Sequence, residues 1–144
     1  MLLGLVAPTS GTARILGHDV RTERAQILPQ VGAIVESPTF YPYLSGRDNL
    51  RHHTMLLGVP ESRIEEVLEL VELRDQARDK VGTYALGMKQ RRGSAGALLN
   101  KTRILFLGEQ PTGLEPPCTV DVRHLLLRSR QRGPPVFAAR PAAP

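Results

Sequence analysis

The segment ILFL, Ile104 to Leu107, runs straight into GEQPTGLEP, Gly108 to Pro116. A strand with one wet face alternates apolar and polar residues, so four apolar residues in a row need cover on both faces. A parallel sheet layered with helices supplies that cover, and the segment therefore argues for an α/β fold. The run ends on a glycine, an acid (Glu109) and a string of turn formers, the shape of a strand that delivers a carboxylate into a loop.

The remaining pattern places other elements around that strand. MLLGLVAP reads as the tail of a helix, followed by a turn over Pro8 to Gly11 and a short extended piece. Val31 to Val35 is a second apolar strand, ending on Glu36 ahead of a loop rich in proline and aromatics. Ser45 stands three residues before Asp48 in the manner of a capping box, and the pattern from Arg47 to Leu57 closes on Gly58. Ser62 and Glu65 form a second such pair. Ile64, Val67, Leu68 and Val71 then recur at helical spacing as one apolar face, with Glu65, Glu66, Glu69 and Glu72 mostly toward water. Small and apolar residues from Gln90 to Leu99 predict a helix ending near Asn100, and Val120 to Arg130 predicts another. Val136 and Phe137 predict one more strand, and RPAAP a frayed end. The order of elements is that of an α/β core with a mostly helical insertion from about Pro38 to Arg92.

Composition narrows the function classes. A chain of 144 residues, 41% of them apolar, is long enough for one domain with its own core. No apolar run approaches the roughly 18 to 20 residues that cross a bilayer, and MLLGLVAP is too short and lacks the basic leader of a signal peptide. The single cysteine, Cys118, excludes an internal disulfide, and His18, His52, His53 and His124 have no metal-ligand spacing. Nineteen basic against fourteen acidic residues give a net charge of +5, and the excess lies after Asp121 in Arg123, Arg128, Arg130, Arg132 and Arg140. A basic tail can hold nucleic acid or anionic lipid; without interleaved aromatics or a nucleic-acid motif, a solvated helix face is the better account.

Two segments together carry a family resemblance: YALGMKQRRGSAGALL and ILFLGEQPTGLEP. They resemble the signature motif and the Walker B plus D-loop of ATP-binding cassette (ABC) transporter ATPases, in the branch that serves drug and antibiotic exporters. Upstream, LLGLVAPTSGTARILGHDV is similar to the segment after the Walker A helix, and VGAIVESPTFYPYLSGRDNL to the Q-loop region and the start of the helical subdomain. Four motifs stand in the family's order. The resemblance implies an α/β, incomplete P-loop NTPase core with parallel strands and an inserted helical subdomain. It divides the chain into 1–37 (partial ATPase core), 38–92 (helical subdomain with the signature) and 93–144 (Walker B, D-loop and terminal strand). It also implies ATP and Mg²⁺ as cofactors, a second ATP-binding subunit and a membrane permease as partners, and a cytoplasmic place against the inner face of the cell membrane. The region Pro38 to Arg51 would lie near the permease contact.

By this resemblance Glu109 is the catalytic carboxylate that polarises the attacking water. Gly87 and Gln90, with Arg91, belong to the signature that faces the partner's nucleotide, although Gly87 is equally a helix-start glycine. Glu115 stands in the D-loop. Glu36 takes the Q-loop position, as a Mg²⁺ ligand or simply as a loop acid. Several positions depart from the family: Gly108 replaces the Mg²⁺-holding aspartate, Ala85 a signature serine, Glu115 an aspartate, and Arg92 an apolar residue turned inward. Gln110, Pro111 and Thr112 scramble a Pro-Thr-Asn order, and Pro141 stands near the place of the switch histidine. No G-x-x-x-x-G-K-[ST] occurs, and Asn100 to Thr102 (NKT) lies in the wrong context to replace it. The chain is thus expected to begin after the Walker A lysine and to show no measurable ATP hydrolysis alone, since losing one acid–base group already costs about 10² to 10⁴ in rate. ILFL is expected to be left with an unpaired edge. Beside the exporter subunit stand two other readings: a non-catalytic half-module lending its signature face to another subunit, and, on the arginine tail alone, a nucleic-acid binder.

Overall fold

The computed structural model describes residues 2–34, 39–107 and 138–139. In chain order these form β1 (Arg14–Ile15), β2 (His18–Asp19), α1 (Arg24–Ile27), β3 (Val31–Ile34), α2 (Gly46–Leu57), α3 (Ser62–Leu70), α4 (Leu86–Leu98), β4 (Ile104–Leu107) and β5 (Ala138–Ala139). The ILFL run is β4, and it is parallel to β3 with Val31 opposite Ile104 and Ile34 opposite Leu107. On its other side β5 pairs in parallel, Leu105 opposite Ala138 and Phe106 opposite Ala139. The sheet order is therefore β3-β4-β5, with β4 in the centre. This corrects the expectation of an unpaired edge at ILFL: the strand from the carboxyl end takes that side, so that among the described strands β3 and β5 are the outer ones. Leu105 is fully buried, as its two-sided cover requires.

α4 lies against β3, and Gly32 is what lets it approach. A Cβ at position 32 would sit 2.4 Å from the Ala97 carbonyl oxygen of α4, closer than any side chain tolerates. The Thr102 hydroxyl donates to that same carbonyl at 2.6 Å, tying the helix end to the strand beyond it. A second cluster of Ile15, Val20 and Ile27 packs on Val31, Ile104 and Phe106. It sits under the antiparallel β1–β2 hairpin.

The larger core is helical. Leu50 of α2, Ile64, Val67 and Leu68 of α3, and Ala95 and Leu98 of α4 are all buried with Val71, Leu73, Val81 and Tyr84. The apolar face predicted for Ile64, Val67, Leu68 and Val71 is therefore core, at 0 to 1% exposure. α2 has both predicted ends: Ser45 accepts the Asp48 N–H at 3.0 Å, and Gly58 closes the helix in the left-handed region at φ 66°. Arg63 reaches from α3 to donate to the last carbonyls of α4, Leu98 and Leu99, at 3.1 and 3.2 Å.

Three local readings differ. The N-terminal segment forms turns rather than a helix tail: Gly4 sits at φ 70° and Leu5 and Val6 are exposed. The described part of the second strand is Val31–Ile34, and Val35 lies outside the described residues. In α3, Ser62 is inside the helix and Glu61 precedes it without a side-chain cap, because the turn from Pro60 already winds the chain, Arg63 N–H donating to Pro60 at 3.1 Å. Glu65, freed from capping, pairs with Arg47. α4 starts at Leu86, four residues before Gln90, because Leu86 and Met88 continue the helix around Gly87. The helix predicted over Val120 to Arg130, the strand at Val136 and Phe137 and the RPAAP end lie outside the described residues.

Candidate nucleotide-facing site

The first turn of α4 is built on a buried anchor. Tyr84, 4% exposed, donates from its hydroxyl to the Gln76 carbonyl at 2.6 Å. Its ring lies so close under α2 that a Cβ at Gly46 would meet the hydroxyl at 2.3 Å. Burial pushes the Tyr84 phenol above its ordinary value, with Asp79 adding to the shift, so it stays a neutral donor. The chain leaves this anchor extended at Ala85 (φ −61°, ψ 160°) and turns into α4 at Leu86. Ala85 has no side-chain oxygen, and no side-chain hydrogen bond caps the helix. The first N–H groups of an α-helix have no partner within it, so here they remain available at the positive end of the helix dipole.

Gly87 stands in this turn. A Cβ there would meet nothing within 4 Å, so the space in front of it is open, and Leu86 beside it is 58% exposed. Gln90 comes one turn later, half-buried. Arg91 is half-buried as well, with Nη1 3.9 Å from Glu72 and its Nε without a partner. The structure thus brings together Gly87 and Gln90 of the residues singled out from sequence. Glu36, Glu109 and Glu115 lie outside the described residues, as does Gly108. Among the described residues no group of three His, Cys, Asp or Glu side chains could hold a metal ion.

Arg92 turns inward, at 1% exposure, where the family places an apolar residue. Its guanidinium lies over the Phe40 ring at 4.4 Å, and its Nη2 is 3.3 Å from His53 Nδ1. Desolvation pulls its pKa down to about 10. His53 is also held below its ordinary value, chiefly by burial and then by the charges of Arg92 and His52, which makes it the neutral acceptor of that hydrogen bond.

Sequence reasoning missed the clamp that shapes the loop ahead of α2. Asn49, 2% exposed, accepts the Tyr41 N–H at 3.0 Å and donates to the Tyr41 and Ser45 carbonyls, each at 3.0 Å. It thereby presents Tyr41 and Tyr43, 52% and 66% exposed, on the surface beside His52. A lone Asn inside a helical pattern carries no signal of this; the cue was the proline and aromatic content of the loop itself.

Comparison with known proteins gives the family of the chain. The profile of the ABC transporter family matches residues 1–112. An uncharacterized ABC transporter ATP-binding protein of Bacillus subtilis, YhcH, is 41% identical over 141 residues, covering 96% of this chain and 46% of its own length. The bacitracin transport ATP-binding protein BcrA of Bacillus licheniformis is 42% identical over 127 residues, 88% of this chain and 42% of BcrA. The lantibiotic transport ATP-binding protein SrtF of Streptococcus pyogenes is 36% identical over 133 residues, 92% of this chain and 57% of SrtF. The chain spans about half the length of the curated relatives it matches. Among solved structures, cbiO1 from Clostridium perfringens, part of the ABC transporter complex cbiONQ, superposes with a TM-score of 0.77 at 18% identity. That match covers 96% of this chain and 59% of cbiO1, and it shows the P-loop NTPase fold. From the match over residues 1–112, the chain belongs to the ABC transporter family.

Proposed function

We propose that this chain is part of the ATP-binding subunit of an ABC-type exporter, which couples ATP hydrolysis to the transport of a drug or antibiotic through a membrane permease at the inner face of the cell membrane. The observation that carries it is the family match over residues 1–112, joined to relatives named for bacitracin and lantibiotic transport. No helix among the described residues is long and apolar enough to cross a membrane, so a permease partner would form the path. The Asn49-held loop with Tyr41 and Tyr43 is the surface for that contact.

The first turn of α4 suits a phosphate: open N–H groups, a glycine with free space before it and no acid in the turn. Gly87 and Gln90 would face the γ-phosphate of a nucleotide bound by a second ATP-binding subunit. Glu109 would hold the attacking water, Glu36 would take Mg²⁺ through its carboxylate, and Glu115 would stand at the junction of the two subunits. Bound Mg-ATP supplies the transferable phosphoryl group and the cation that offsets its charge. Within its 144 residues the chain has no Walker A lysine, so alone it binds Mg-ATP weakly and does not turn it over.

A second reading, the non-catalytic half-module, is favoured by the state of α4: the signature turn is formed and open although Ala85 lacks the serine hydroxyl. The two separate in one experiment. The purified chain is mixed with an intact ATP-binding subunit of the same branch, and phosphate release is monitored. Stimulation by the chain that Gly87→Asp abolishes supports a signature face working in trans. Turnover of Mg-ATP by the chain alone would overturn the loss of catalysis, and no stimulation in any mixture would remove the half-module.

A further inference from the structure

A cavity of about 510 Å³ opens where β3 and the end of α2 meet the buried face of α4. Its walls are largely apolar, Ile34, Leu56 and Leu57 among them, and its polar side chains among the described residues are Arg92, His53, Thr39 and Asn100. Arg92 is the unusual one. One face of its guanidinium is covered by Phe40, Nη2 is engaged with His53, and Nε is buried without a partner. Among the described residues no carboxylate forms an ion pair with it. A buried cation without an anion is one of the costliest arrangements in a protein interior.

Gly96 determines what can reach this cation. A Cβ at that position would lie 3.5 Å from Arg92 Nη1 and 3.7 Å from His53 Nδ1. Any longer side chain would fill the space in front of both groups; glycine leaves the cavity continuous with them. Among the described residues of the wall the charge is a single positive one, with no second lysine or arginine. A phosphate dianion would find half its charge unmatched in apolar surroundings, whereas a carboxylate matches it.

We infer that this cavity binds a small organic carboxylate, with its anionic head on Arg92 and its apolar body against Leu56 and Leu57. The site does not use the first turn of α4, so it stands or falls separately from the nucleotide reading. The test titrates the purified chain, in carboxylate-free buffer, with 4-phenylbutyrate, with 4-phenylbutan-1-ol and with inorganic phosphate, recording heat and the His53 ring resonances. The expected result is one saturable site for phenylbutyrate that shifts His53, with the alcohol at least about tenfold weaker for want of a charge-assisted hydrogen bond. Arg92→Leu should erase the preference for the acid. Gly96→Leu keeps the charge, fills the space before it, and should abolish binding in a chain whose circular dichroism is unchanged. Equal binding of acid and alcohol to the wild-type chain would reduce the site to an apolar pocket and overturn the carboxylate assignment, as would phosphate binding as tight as phenylbutyrate. Absence of saturation, or full affinity in a folded Arg92→Leu chain, would overturn the site.

Discussion

Arg92→Leu should make this protein more stable. The fall of the Arg92 pKa to about 10 on burial corresponds, at about 1.36 kcal/mol per unit, to roughly 3 kcal/mol by which the folded state disfavours the charge. Leucine removes that penalty and adds an apolar side chain where the surroundings are already largely apolar. Against it stand the contact with Phe40, worth about 1 to 2 kcal/mol when desolvated, and the hydrogen bond to His53, worth about 1 kcal/mol. These figures leave a gain of about 0 to 1 kcal/mol before leucine's own burial is counted, in the direction seen when buried charges are replaced by apolar residues. Urea melts in carboxylate-free buffer at pH 7 should therefore place the midpoint of the variant about 0.5 M above that of the wild type. The pH dependence has a definite sign. The unfolded chain keeps the Arg92 proton to higher pH than the folded one, so wild-type stability gains from this group as pH rises through about 10, and the advantage of the variant should shrink between pH 8 and pH 10.5. A variant less stable than the wild type at pH 7, with unchanged slope, would refute the reasoning and mean that the guanidinium holds this seam together.

Three further outcomes rest on the same contacts. Gly32→Ala should cost more than about 2 kcal/mol in urea unfolding, since its methyl meets a backbone carbonyl at 2.4 Å and neither β3 nor α4 can give way alone. Asn49→Ala should cost about 2 to 3 kcal/mol and speed proteolysis in the Tyr41–Leu44 loop, because buried backbone groups lose their partners; equal proteolysis of variant and wild type would deny the clamp. His53 is depressed by burial and by Arg92 and His52, so its contribution is present above its ordinary pKa and is lost as pH falls through the lower folded value. His53→Gln should flatten the decline of the urea midpoint between pH 7.5 and pH 5, and an unchanged decline would assign the acid sensitivity elsewhere.

Much of the architecture could be read from periodicity. The ILFL run required a two-sided position and received the central one; Ser45 and Gly58 marked α2 at both ends. Where reading failed, a local signal was outweighed by a neighbour. Ser62 looked like a cap until the Pro60 turn wound the chain one residue earlier, and Gly87 concealed the true start of α4. The partner of β4 was misjudged because strand order depends on contacts between distant segments, for which a two-residue strand at Ala138–Ala139 leaves almost no pattern. For the site, composition and spacing alone located a carboxylate after a strand. Gly87 and Gln90 were singled out only through family resemblance, and the anchoring of Tyr84 and the clamp by Asn49 became visible only when residues far apart in the chain met.

Two of the departures from the family pattern, Ala85 and Arg92, lie on different sides of α4, and this separates their consequences. Ala85 and Gly87 shape the exposed first turn of α4, while Arg92 and Gly96 face the seam against α2 and β3. Tyr84 fixes the first turn through Gln76 and Gly46, contacts that do not involve the cavity at the seam. Substitutions at the seam should therefore change stability and carboxylate binding while leaving the geometry of the signature turn in place. Those at the turn should do the reverse, altering activity in trans with little effect on unfolding. If Arg92→Leu raised the urea midpoint and also abolished stimulation of a partner subunit, the two faces would be coupled, and the turn would depend on the seam for its position.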